Sequence, residues 1–245
     1  MTSCCDALVL DFGGVISRTV FETHRNTEKV LGLAPGTLAW MGPFDPTTDP
    51  LWRAMQAEEI SERDYWHIRA RETGELIGEN WDTLPQFLRR IRGDDPAAGI
   101  RPEALAAIDA AKAAGRQLAI LSNELDLFNG PKFRTRLPFL AAFDVIVDAT
   151  YTGILKPDPR AFGFVTDGLR LPAERCVFVD DQLKNIQGAA AVGMKTVHFD
   201  VRAPERSYAR ALALLDLAHV LDRKTGSHFS GTCAQHRLRR GRPNQ

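Results

Sequence analysis

Cysteine is scarce and scattered in this chain of 245 residues. Cys4 and Cys5 are neighbours, Cys176 opens an apolar run and Cys233 lies near the C-terminus, which excludes the disulfide framework of a small secreted domain. No CxxC pair or cysteine–histidine cluster occurs, so a zinc module of the usual spacing is excluded as well. No apolar run approaches the roughly 18 residues of a membrane helix. Asp6 and Asp11 interrupt the N-terminal stretch, which has no basic segment, so neither a membrane span nor a signal peptide is expected. Charge of either sign is not in excess: 31 Lys and Arg balance 31 Asp and Glu. The balance is uneven, because residues 223–245 hold six bases and no acid, leaving the body six acids in surplus. An acidic body argues against a nucleic-acid binder built on a basic face. The basic tail is poor in apolar residues and is expected to be disordered. There is no internal repeat. A reducing cytoplasm fits these absences.

With 44% hydrophobic and 25% charged residues, the chain has the composition of one medium globular domain, or a domain with an insertion. From about residue 99 onward, strand and helix patterns alternate. Pro102–Ala114 reads as an alanine-rich helix stopped by Gly115, and Asn185–Val192 as a short helix closed by Gly193. A final helix is predicted over Tyr208–Leu221. Between the helices lie short strand-like runs at Gln117–Leu121, Phe143–Val147, Cys176–Val179 and Lys195–Phe199, apolar without interruption at Leu118–Leu121 and Cys176–Val179. Runs without polar alternation imply strands covered on both faces, hence a doubly wound parallel sheet with flanking helices, a Rossmann-like α/β core. Leu8–Leu10 is a further such run and stands far from the rest.

The intervening stretch has a different character. Leu51–Glu59 and Ser61–Thr73 read as paired helices, with Ser61 and Asp64 spaced as a capping box. Leu84, Phe87, Leu88 and Ile91 follow helical spacing. All four tryptophans (Trp40, Trp52, Trp66 and Trp81) fall here. The predicted organisation is a core of residues 1–16 and 97–222, a small α-helical cap inserted at 17–96, and the tail at 223–245.

The apolar strands end in polar residues: Asp11 followed by Gly13 and Gly14, Ser122–Asn123, and Asp180–Asp181, with Lys156 on a connection. An Asp starting an ordinary strand–turn is the plain reading of any one of these. Together they carry more, because the C-terminal strand ends of an open parallel sheet line one crevice. Carboxylates gathered there repel unless a cation sits among them, and hard oxygen ligands favour Mg²⁺ over zinc. With the charge of Lys156 and the neutral donors of Ser122 and Asn123, the set suits a phosphoryl group.

Four segments, LVLDFGGVI, LAILSN, LKPDPRAF and VFVDDQLKNIQGA followed by VGM, resemble in order and spacing the motifs of the haloacid dehalogenase superfamily over Ala7 to Phe199. The resemblance implies that Asp11 is the nucleophile forming an aspartyl-phosphate. It implies Mg²⁺ held by Asp11, the Gly13 carbonyl and Asp181, with Asp180 assisting. Ser122 and the Asn123 backbone would bind phosphoryl oxygens, Lys156 would offset charge, and Asn185 would orient these groups or simply cap a helix. The acidic pair favours the family's phosphatases over its metal-free dehalogenases. The helical insertion is similar to caps of glucose-1-phosphate phosphatase-like members and of epoxide-hydrolase N-terminal domains.

One departure stands out. Most of the family's phosphatases carry a second Asp two residues after the nucleophile as general acid/base, and here that position is Gly13. Glu59, His24 and Arg18 are candidate substitutes, though the plain reading of each, a solvated or structurally paired side chain, is preferred; His67, His198 and His219 read as structural. The leading expectation is an enzyme, a Mg²⁺-dependent phosphatase of a small phosphorylated metabolite. The alternatives are an L-2-haloacid dehalogenase-type hydrolase and a non-catalytic phosphate- or metabolite-binding regulator.

Overall fold

The computed structural model describes residues 5–92, 95–129 and 133–217. Cys4, His219, Cys233 and the basic tail lie outside that set. Five strands form one parallel sheet: β1 (Ala7–Leu10), β2 (Gln117–Ser122), β3 (Val145–Asp148), β4 (Cys176–Asp180) and β5 (Lys195–His198), in the order β3-β2-β1-β4-β5. The helices are α1 (His24–Leu31), α2 (Pro50–Gln56), α3 (Glu62–Glu75), α4 (Leu84–Arg92), α5 (Pro102–Ala113), α6 (Leu125–Asn129), α7 (Ala149–Thr152), α8 (Pro159–Leu169), α9 (Leu183–Ala191) and α10 (Pro204–Leu214). This is the doubly wound α/β architecture expected from the unbroken apolar runs.

Period-two alternation sorts the central strand between two faces. Leu8 and Leu10 pack with residues of α5 and α10, whereas Ala7 and Val9 pack with residues of α8 and α9. All four are fully buried, as a strand covered on both sides must be. Helix α8 is not among the predicted elements, although its buried Phe162, Val165 and Leu169 lie at helical spacing. Its start is nonetheless written in Asp158–Pro159, where the Asp158 carboxylate accepts from the Arg160 N–H and proline occupies the first turn. The final helix, predicted over Tyr208–Leu221, begins four residues earlier, at Pro204, and ends at Leu214, short of the predicted end.

Residues 20–91 contribute a separate aromatic core. Phe21 meets Trp40 and Trp52 edge-on, with ring centroids 5.6 and 5.2 Å apart, and Tyr65, Phe87 and Trp81 are buried with them. Ser61 and Asp64 form the expected capping box at the start of α3. The segment leaves and rejoins the sheet at one place. Ser17 and Ile100 form an isolated antiparallel bridge, with the Arg18 N–H donating to the Gly99 carbonyl (2.7 Å) and the Arg101 N–H to that of Ile16 (2.9 Å). No helix among the described residues is long and apolar enough to cross a membrane.

Candidate active site

Register places the strand-end residues together. Leu10 pairs with Ile120 on one side and Val179 on the other. The ladder therefore ends with Asp11 level with Asp180, while Ser122 closes the neighbouring strand. The Asp11 N–H continues the pairing by donating to the Val179 carbonyl at 2.9 Å.

Lys156 then ties the rim together. Its ammonium donates to Asp11 Oδ1 and Asp180 Oδ2, each at 2.7 Å, and is 4% exposed. Asn123 holds that lysine by its backbone: its Oδ1 accepts from the Lys156 N–H at 2.7 Å, and its Nδ2 donates to the Lys156 carbonyl at 3.2 Å. The Asn123 side chain is thus occupied by the Lys156 backbone. Asp180 is saturated: besides Lys156 it accepts from Asn185 Nδ2, at 3.1 Å to each oxygen, and from the Gln182 N–H at 2.8 Å. Asn185 lies within the first turn of α9, and the capping position is held by Gln182, so the helix-cap reading of Asn185 is replaced by a contact with Asp180. Asn185 Oδ1 is buried without a partner.

Asp11, Asp180 and Asp181 each present a carboxylate oxygen within 4.8 Å of the others. Burial above all, then the Asp180 charge, lifts the Asp11 carboxyl to about 7 against the opposing pull of Lys156. Burial, with Asp180 and Asp11 as neighbours, raises Asp181 well above the ordinary carboxylate range. The Lys156 ammonium is desolvated too, but the two carboxylates more than compensate and raise it. An all-oxygen donor set whose like charges are incompletely neutralised, beside an orphaned amide oxygen, fits a hard divalent cation such as Mg²⁺.

The two glycines after Asp11 have different tasks. Gly14 has φ +74°, and a Cβ there would stand 2.7 Å from Asp181 Oδ2, so glycine is required both by conformation and by the approach of that carboxylate. A Cβ on Gly13 would meet only Asp11 Oδ2, at 4.0 Å. The loop is braced by Arg101, which sequence reasoning passed over. Its Nε and Nη2 donate to the Gly14 carbonyl at 3.1 and 3.0 Å, and its Nη1 to Glu22 at 2.7 Å. Only its position immediately before the α5 proline hinted at it.

These groups floor a cavity of about 460 Å³. Ser122, Asn123, Lys156, Asp181 and Asn185 line it, as do Gly13 and Gly14. Its upper wall comes from the helical insertion, with Phe21, Trp52, Trp66, Leu84 and Leu88. Among the suggested proton donors, only Arg18 reaches the lining. Glu59 is exposed elsewhere. His24 is buried against Trp40 at 4.2 Å between centroids, with both ring nitrogens unpartnered. Burial keeps it neutral by depressing its pKa to about 4. His198 is exposed, with Nε2 3.0 Å from the Asp181 carbonyl.

The doubly wound sheet thus brings an aspartate after its central strand, a lysine on a connecting loop and an acidic pair at the end of the adjacent strand to one rim. The chain belongs to the haloacid dehalogenase-like hydrolases, whose family model matches residues 5–193. It is 37% identical over 161 residues to (S)-2-haloacid dehalogenase 1 of Pseudomonas sp. strain CBS-3, covering 61% of this chain and 69% of that protein. It is 27% identical over 99 residues to phosphatase MT3486 of Mycobacterium tuberculosis, covering 40% of this chain and 46% of the relative. The chain spans about a tenth of the length of another relative it matches, mouse acyl-CoA dehydrogenase family member 10. Among solved structures, the HAD-hydrolase YfnB of Bacillus subtilis bound to magnesium superposes with a TM-score of 0.62 at 18% identity, covering 87% of this chain and all of that one, a likeness of fold.

Proposed function

We propose that this hydrolase is a Mg²⁺-dependent phosphatase of a small phosphate monoester, working through an aspartyl-phosphate on Asp11. The observation that carries this reading is the trio of carboxylates within 4.8 Å beside the Lys156 ammonium, a centre with both cation-holding and anion-holding character. Asp11, the Gly13 carbonyl and Asp181 would hold the cation. Asp180, already engaged with Lys156 and Asn185, would hold them in place from below. Bound there, Mg²⁺ would neutralise carboxylate and phosphoryl charge.

Lys156 keeps Asp11 oriented by its 2.7 Å hydrogen bond and supplies fixed positive charge for the phosphoryl oxygens. The hydroxyl of Ser122 and the Asn123 N–H would donate to the same oxygens, with Asn185 orienting this shell through Asp180. Asp11 attacks phosphorus in line with the ester oxygen, and the second step returns the carboxylate by attack of water on phosphorus. The aromatic and leucine wall above Asp11 supports a substrate whose organic part is small and apolar in part. A panel of phosphorylated metabolites assayed with Mg²⁺ and with chelator is the test. Phosphate release that chelation stops is expected, and no release from any ester would overturn the reading.

A second reading is favoured by the 37% identity to the haloacid dehalogenase. Asp11 would then attack carbon and displace halide. Halide release from an L-2-haloacid that persists in chelator would establish it.

A further inference from the structure

Resting on the phosphatase reading, we propose that Glu62 is the general acid/base of this enzyme, delivered from the helical insertion in place of the aspartate missing at Gly13. Glu62 is the first residue of α3, is half-buried, and lines the same cavity as Asp11, Gly13 and Asp181. Its carboxylate makes no hydrogen bond or ion pair among the described residues, unlike Asp64 two residues later, which closes the capping box. A cavity-facing carboxyl without a structural partner is free to hold and pass a proton.

Two contacts between the insertion and the sheet bracket it. Arg63, next in sequence, forms an ion pair with Glu124, two residues beyond Ser122. Gln56 Nε2 donates to Gln182 Oε1 at 3.2 Å, one residue beyond Asp181. The end of α2 and the start of α3 are therefore each tied to a loop at the rim. The charged groups facing Glu62 are Lys184, Lys156, Asp180, Asp181 and Glu124. Burial is the largest influence and raises its carboxyl; Lys184 and Lys156 pull it down, while Asp180 and Glu124 push it up. By placement, a carboxyl on the cavity lining with no hydrogen bond or ion pair of its own is positioned to exchange a proton with a bound leaving group.

The chemistry balances on this residue alone. Asp11 Oδ forms a bond to phosphorus as the ester P–O bond breaks. The released electron pair goes to the ester oxygen, which takes the Glu62 proton and leaves as an alcohol. Water then attacks the aspartyl-phosphate and gives its proton to the Glu62 carboxylate. The Asp11 Oδ–phosphorus bond breaks, releasing phosphate and restoring the Asp11 carboxylate and the Glu62 carboxylic acid.

Leaving-group chemistry tests this in rapid-mixing experiments on Glu62→Gln. With p-nitrophenyl phosphate, whose phenolate departs without protonation, the first equivalent of nitrophenolate is expected at the wild-type rate. Steady turnover should follow about 10²–10⁴-fold more slowly, the span typical of general acid/base catalysis. With alkyl phosphates the first turnover itself should slow by a similar factor, and Glu62→Asp should recover part of it. The burst shows that the nucleophile and the fold are intact. Equal loss of the burst with both classes of ester, or wild-type turnover of alkyl esters by Glu62→Gln, would overturn the proposal while leaving the phosphatase reading standing. A wild-type enzyme that hydrolyses neither ester sinks both.

Discussion

At the rim of the sheet, buried charge faces a cavity: Lys156 bridges Asp11 and Asp180, and Asp181 stands beside them without enough positive charge to balance it. Within the helical insertion, buried charge faces inward and is paired, although Arg69 Nε and both His24 ring nitrogens have no hydrogen-bond partner. Asp49, fully buried, accepts from the Trp52 N–H at 2.9 Å, the Tyr65 hydroxyl at 2.8 Å and the Arg69 guanidinium. The Arg69 guanidinium in turn lies 5.1 Å from the centre of the Trp40 ring. Glu28 similarly accepts from the Gly36 and Leu38 N–H groups at 2.9 Å each. Unfinished neutralisation marks the part that binds, and paired charges mark the part that holds a wall in position. One rule of burial produces both outcomes: a desolvated charge needs partners, and where the chain leaves some out, a ligand has reason to enter.

Three substitutions or conditions separate the two regions, ordered by the size of the effect. Asp49→Ala strands the buried Arg69 and should cost about 3–5 kcal/mol of folding stability, as breaking a buried pair does. Urea unfolding measures this; a loss below 1 kcal/mol would show that the charges in the insertion are not paired as described. His24 comes next. Its folded pKa lies near 4 against an ordinary 6.5, so the unfolded chain binds the proton first as acidity rises. The stability is fully present above pH 6.5 and is lost as pH falls toward 4, by roughly 3 kcal/mol in all. Compared with His24→Phe, the wild type should therefore lose more stability between pH 7.5 and 4.5, in chelator and in Mg²⁺ alike. Parallel curves for the two proteins would contradict it.

The smallest effect belongs to the rim. Gly14→Ala forces a left-handed backbone on a residue with a Cβ, costing about 1–2 kcal/mol. It also drives that Cβ against Asp181, so calorimetric titration should show weakened Mg²⁺ binding. Asp49→Ala, at temperatures where it is folded, should bind Mg²⁺ like the wild type. Reversal of that pattern would dissolve the distinction between the two regions.

The rim was legible in the sequence because a parallel sheet converts local pattern into shared location. Each apolar run names its own end, and strand ends converge whatever lies between them. Asp11, Ser122, Asp180 and Asp181 could thus be grouped before any coordinates. The same local logic identified the Ser61–Asp64 capping box, which needs only spacing. Arg101 and Glu62 escaped because their roles depend on how the insertion returns and docks. An arginine before a proline reads as loop, and a glutamate in a helix's first turn reads as a favourable dipole contact. His24 erred in the opposite direction: a histidine near the first motif suggested chemistry, and the aromatic core of the insertion absorbed it.

The most direct measurement is the covalent state of Asp11 during turnover. Wild-type protein mixed with a turned-over phosphate monoester and Mg²⁺, quenched in acid within one turnover and digested, should yield the peptide containing Asp11 with one phosphoryl group added. Asp11→Asn should show neither the label nor turnover. Phosphate release with Asp11 unmodified, or undiminished in the Asp11→Asn protein, would contradict the nucleophile assignment on which the mechanism rests.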